Sequence, residues 1–143
     1  MPESGSLYRI KDIDSSKFER LESGDDWYDL INDCGVGTAP KLNLEQCWPI
    51  WIEALKSEDK PLNKLLFGDL YFEAEGDAPS IGVSCHQTVL TISSILNEKN
   101  ENYFLEKLNK TGFDGSHAIF IFQGMRKFYN LAAQEGNAII SLL

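Results

Sequence analysis

Histidine is nearly absent from this chain, cysteine is scarce and unpaired, and no apolar run is long. Each shortage excludes something. His86 and His117 are the only imidazoles in 143 residues, so a histidine-rich metal site cannot be assembled within one chain. Cys34, Cys47 and Cys85 are an odd number without paired spacing, two of them on apolar helix positions, and they read as reduced thiols. No apolar stretch approaches the roughly 18 to 20 residues of a membrane span. The opening MPESGSLYRI lacks the charged-then-apolar layout of a secretion signal, so a soluble, cytoplasmic protein is expected. G-x-x-x-x-G-K-[ST], G-x-G-x-x-G, H-E-x-x-H, G-x-S-x-G and paired C-x-x-C are all missing. Gly35-Val36-Gly37 lacks both a third glycine and a preceding strand. No cofactor is expected.

Positive charge is short in one half only. Residues 1–77 hold 17 acidic and 8 basic side chains, residues 78–143 hold 5 of each, and the whole net charge of −9 therefore lies in the first half. Such a surface repels nucleic-acid backbones and anionic membranes. It favours a basic protein partner, or serves solubility alone.

Against these shortages stands a clear aromatic core. In LNLEQCWPIWIEAL, Leu44, Cys47, Trp48, Trp51, Ile52 and Leu55 recur at the spacing of one helix face, predicting a helix from Leu42 to Leu55 with Asn43 as N-cap and Gln46 returning to it. Pro49 removes an interior hydrogen bond and must either bend that helix or begin it. The tryptophan pair reads as packing, given the area such rings bury, with a ligand pocket as the alternative.

The remaining elements follow from periodicity and punctuation. Leu7 to Ile10 predicts a strand, and Asp14, Ser15 and Ser16 offer an N-cap to a brief helix through Phe18 and Leu21. Trp27, Leu30, Ile31 and Cys34 keep helical spacing up to Gly35, which suits a left-handed terminator. Lys60-Pro61 opens a short helix with Leu62, Leu65 and Leu66 inward, closed by Gly68. Glu73 to Pro79 is a surface turn, and Ile81 to Val83 a strand. Ser84-Cys85-His86-Gln87 has the S-x-x-Q form of a capping box for a helix with Cys85, Val89, Ile92 and Leu96 inward. Another turn or two follows around Tyr103 to Leu108, then a loop from Thr111 to Gly115. A long helix with Ala118, Ile121, Phe122, Met125, Phe128, Tyr129 and Ala132 on one face is stopped by Gly136-Asn137. The apolar end, Ala138 to Leu143, must be built in, and pairing with the strand around Tyr8 and Ile10 does this. The expectation is a single α+β domain over residues 1–143, mainly helical, with a small sheet pairing the N- and C-terminal strands.

The order YRIKDIDSSKFERL, LNLEQCWPIWIEAL, PLNKLLFGD, SIGVSCHQTVLTISSIL and MRKFYNLAAQEGNAIISLL resembles the YfbM-like family of small, uncharacterised bacterial proteins. The chain departs from the family's pattern at Pro49, where His often stands, and at Thr111 to Gly115, which replaces a Tyr-Pro segment. The resemblance implies a fold and carries no activity with it.

Three functions remain open on sequence. The leading one is a non-enzymatic interaction protein, for example an acidic, immunity-type antagonist of a basic partner. The second is a small-ligand binder with a pocket near the Trp48/Trp51 helix. The third is a cysteine-dependent hydrolase or transferase with Cys85 at a helix N-terminus as nucleophile, His117 as base and Asp114 orienting it.

Overall fold

The computed structural model describes residues 5–21, 24–45, 51, 60–74, 79–99, 101–109 and 115–143. Strand β1 (Gly5–Lys11) runs directly into the single-turn helix α1 (Asp12–Ser15) and a 3-10 turn (Ser16–Arg20). Helix α2 (Gly24–Asp33), a second 3-10 turn (Val36–Thr38) and strand β2 (Lys41–Glu45) follow. Helix α3 (Lys60–Phe67) precedes strands β3 (Leu70–Phe72) and β4 (Ile81–Ser84). The C-terminal half holds helices α4 (His86–Glu98), α5 (Glu101–Asn109) and α6 (Gly115–Glu135) and strand β5 (Asn137–Leu142).

The five strands form one sheet in the order β2-β1-β5-β4-β3, with each neighbouring pair antiparallel. The expected partnership of chain ends is its centre: β1 and β5 pair from Ser6↔Leu142 to Lys11↔Asn137. Alternation along the strands sorts side chains onto two faces. Leu7, Leu44 and Ile139 join Trp51 and the inner sides of α3 to α6 in one core. Ile10, Ala138, Ile140, Ile81 and Val83 join Phe18, Trp27, Ile31 and Val36 in the other. With helices on both faces, β5 is buried at Ala138, Ile139, Ile140 and Ser141 in succession, as a doubly covered central strand must be.

Trp51 is 1% exposed, its ring 5.8 Å from Phe104 and 6.2 Å from Phe122 by centroid. It packs in the core as expected. The helix expected to begin near Leu42 does not begin there. Residues Lys41–Glu45 are strand β2, with Leu7 opposite Leu42 and Ser6 opposite Asn43, so Asn43 is a strand residue. Leu42 and Leu44 alternate as well as they fit a helical stripe, and the open edge of β1 selects the strand. Gln46, Cys47, Trp48 and Pro49 lie outside the described residues; Trp51 itself is helical. The helix after β1 also starts earlier than expected, at Asp12, with no side-chain cap. Asp14 pairs instead with Lys17 at 2.9 Å.

Gly35 and Gly68 take the left-handed conformation at φ 74° and Gly136 at φ 72°, each ending its helix where expected. Past Gly68 the chain enters β3, a strand the sequence reading leaves unassigned. The end of α3 lies so close to β4 that a Cβ on Gly82 would stand 2.6 Å from the Phe67 carbonyl oxygen and 2.8 Å from that of Leu66. The last turn of α3 is closed by side chains from elsewhere: Tyr129 Oη donates to the Leu65 carbonyl at 2.6 Å, and Ser141 Oγ donates to that of Leu66. Tyr129 is fully buried, and burial pushes its phenol far above the ordinary range, so it remains a donor at any working pH.

Candidate functional site: an acidic cleft at the start of helix α4

Helix α4 begins where three segments meet. Cys85 is its N-cap residue, extended at φ −69° and ψ 167°, and no side chain of the local S-x-x-Q stretch caps it. Ser84, expected to do so, is the last residue of β4 and 2% exposed. Two aspartates far away in sequence take its place. Asp12 Oδ1 accepts from the His86 N–H at 2.7 Å, and Asp69 Oδ2 accepts from the Cys85 N–H at 3.0 Å. Both are held in position: Asp12 by the turn it opens, where Ser15 Oγ donates to its carbonyl at 2.6 Å, and Asp69 by the tight link through Gly68, with its own N–H on the Val83 carbonyl at 2.8 Å. Negative charge at this helix end is favoured by the dipole and by the orphan N–H groups.

Asp69 is the better anchored of the two. It also receives Lys64 Nζ at 3.0 Å and Thr88 Oγ1 at 2.8 Å. Burial pushes its carboxyl up, but the hydrogen bonds from Lys64, Thr88 and Cys85 outweigh burial and hold it below the usual carboxylate range.

Beside this junction opens a cleft of about 290 Å³, walled by Asp12, Glu19, Asp69, Ser15, Ser16 and Cys85, with Leu70, Val83 and Ile13 as its apolar part. Ile13 is 72% exposed. Among the described residues no three His, Cys, Asp or Glu groups are placed to hold one metal ion. The cleft is suited to a cationic group with an aliphatic stem.

The candidate thiol site is not brought together. Cys85 Sγ lies 3.6 Å from Thr88 Oγ1, and the Cys85 N–H is taken by the Asp69 carboxylate. The neighbouring His86 is engaged through Nδ1 with the Asn137 carbonyl at 2.9 Å, which requires the hydrogen on Nδ1. Helices α4 and α6 run antiparallel: His86 at the start of α4 meets Asn137 just past the end of α6, Ser93 and Asn97 meet Asn130, and Glu101, which opens α5 just past α4, meets Arg126 further back in α6. His117 stands in the first turns of α6, so the helix continues for roughly 27 Å beyond it, at 1.5 Å per residue, before reaching the end where Cys85 lies. Asp114 lies outside the described residues. Of the other cysteines, burial pushes the Cys34 thiol up, Asp14 adding to it, and Cys47 is outside the described residues. Asp12, Glu19 and Asp69 escape sequence reasoning because only the fold brings them together; their one trace is the acidic excess of the first half.

A search of solved structures finds YfbM from Escherichia coli, a protein of unknown function, with TM-score 0.67 over 97% of this chain and 98% of that one, at 15% identity. The chain has a YfbM-like fold. No family model matches the sequence, and no curated protein matches it. At this identity the likeness to YfbM extends to the fold alone. No helix among the described residues is long and apolar enough to cross a membrane.

Proposed function

We propose that this protein works by binding rather than by catalysis, as an acidic interaction protein that engages a basic protein partner through the cleft at the start of α4, in the manner of an immunity-type antagonist. The observation that carries this reading is Ile13, 72% exposed on the wall of a cleft whose polar rim is Asp12, Glu19 and Asp69. An apolar contact inside an acidic rim matches a lysine or arginine side chain, which presents a hydrophobic stem and a charged head. The carboxylate excess of residues 1–77 would draw such a partner from a distance.

The test uses Ile13→Ser combined with Glu19→Lys, because neither residue caps α4. A lysine-rich peptide, with a glutamate-rich peptide of equal length as control, is titrated against wild type and the double variant. Binding to the lysine peptide that weakens as salt rises, and falls at least tenfold in the variant, supports the proposal. Equal binding by both proteins, or affinity indifferent to salt, would refute it.

A further inference from the structure

We infer that Arg9 forms a binding site for an oxyanion, the carboxylate or phosphate group of a small molecule, on the face of the sheet opposite the acidic cleft. Arg9 is in the middle of β1, its backbone fixed by Ile139 across the ladder and by an N–H bond to the Pro40 carbonyl at 3.1 Å. Strand alternation puts its side chain on the Leu7 and Ile139 face, under α6, where the guanidinium carbon stands 5.6 Å from the centroid of the Phe128 ring. The side chain is half-buried, and its Nε is fully buried with no acceptor. It makes no hydrogen bond and no ion pair with any described residue, in a chain with 22 acidic side chains.

The same helix shows what is missing. Arg126 stands 5.2 Å from the centroid of Phe122, and its Nη2 is completed by Glu101 Oε1 at 3.0 Å. Arg9 over Phe128 repeats the stacked half of that arrangement without the carboxylate. A planar guanidinium presents its N–H groups in one plane, the geometry that two oxygens of a carboxylate or phosphate satisfy together. A buried charged donor left without an acceptor is costly, and an anion arriving from solvent removes that cost. Lys11, two residues along β1 on the same face and exposed, adds a second positive charge to the approach. The inference does not depend on the proposed partner at the acidic cleft, because the two sites lie on opposite faces.

The decisive measurement is the Nε–Hε cross-peak of Arg9 in ¹⁵N-labelled protein, assigned by its loss in Arg9→Lys. Sodium acetate and sodium phosphate are titrated separately against sodium chloride at matched ionic strength. A saturable shift with acetate assigns a carboxylate ligand, and one with phosphate assigns a phosphate ligand. Identical behaviour in all three salts, or a peak that does not move, would overturn the inference. Arg9→Met, which keeps the apolar stem over Phe128, provides the second reading: its melting temperature should lose the oxyanion-dependent rise of the wild type. If Arg9→Met fails to fold, the wild-type titration decides alone.

Discussion

Trp51 and Gly82 show how single residues hold this molecule. Trp51 fills the space between Phe104 and Phe122 at 1% exposure, and its indole N–H is buried without an acceptor. Its contribution is therefore made by the ring surface, with the N–H as a debit. Trp51→Ala should cost about 3 to 5 kcal/mol, the usual range for emptying a large buried aromatic site. Trp51→Phe should cost distinctly less, because it keeps ring contacts and removes the unsatisfied donor. Urea midpoints of the two variants check this, and a midpoint for Trp51→Ala equal to wild type would contradict the packing. At Gly82 the important feature is an absent side chain, since any Cβ would meet the closing carbonyls of α3.

At the scale of an element, α4 is capped by tertiary structure. Asp12 and Asp69 reach its first N–H groups from α1 and from the α3–β3 link, so the helix start is a joint of three segments. Asp69→Ala removes a cap and the anchor of Thr88, and should cost about 1 to 2 kcal/mol at neutral pH, near the upper end for N-cap removal. The pH dependence has a definite sign. Because the folded-state pKa of Asp69 is held below its unfolded value, the stabilisation is fully present above the unfolded value, about 3.9, and is lost as pH falls through the folded one. The gap between wild type and Asp69→Ala in urea midpoint should thus be wide at neutral pH and close progressively below about pH 4. A gap independent of pH would mean that the carboxylate charge has no part in the cap.

For the whole molecule, β5 joins both layers. It lies between β1 and β4, contributes Ile139 to one core and Ala138 and Ile140 to the other, and sends Ser141 Oγ to the end of α3. Deletion of Ile139 to Leu143 should leave an insoluble or molten protein, because two ladders and part of both cores go together. Retained solubility with a cooperative thermal transition would show that the sheet closes without its central strand.

Much of this architecture is legible in the sequence because local physics writes it there. The glycines at 35, 68 and 136 end helices for reasons internal to a few residues, the stripe from Ile121 to Ala132 declares a buried helix face, and the apolar Ala138 to Leu143 must find cover wherever the chain goes. The YfbM-like resemblance rested on that order of elements, and the fold bears it out. What local pattern could not decide was any choice set by a distant partner. Leu42 to Glu45 satisfies both a strand and a helix until β1 offers an open edge, and Ser84 suits a cap until β4 claims it and Asp12 and Asp69 arrive. The acidic cleft belongs to the same class: Asp12, Glu19 and Asp69 are spread over 58 positions, and only the pairing of β1 with β5 and β5 with β4 brings them to one helix end. Sequence determined most of the elements, whose causes lie within a turn or a pleat, whereas the tertiary structure decided strand β2 and the site, whose causes are contacts between segments that the chain keeps far apart.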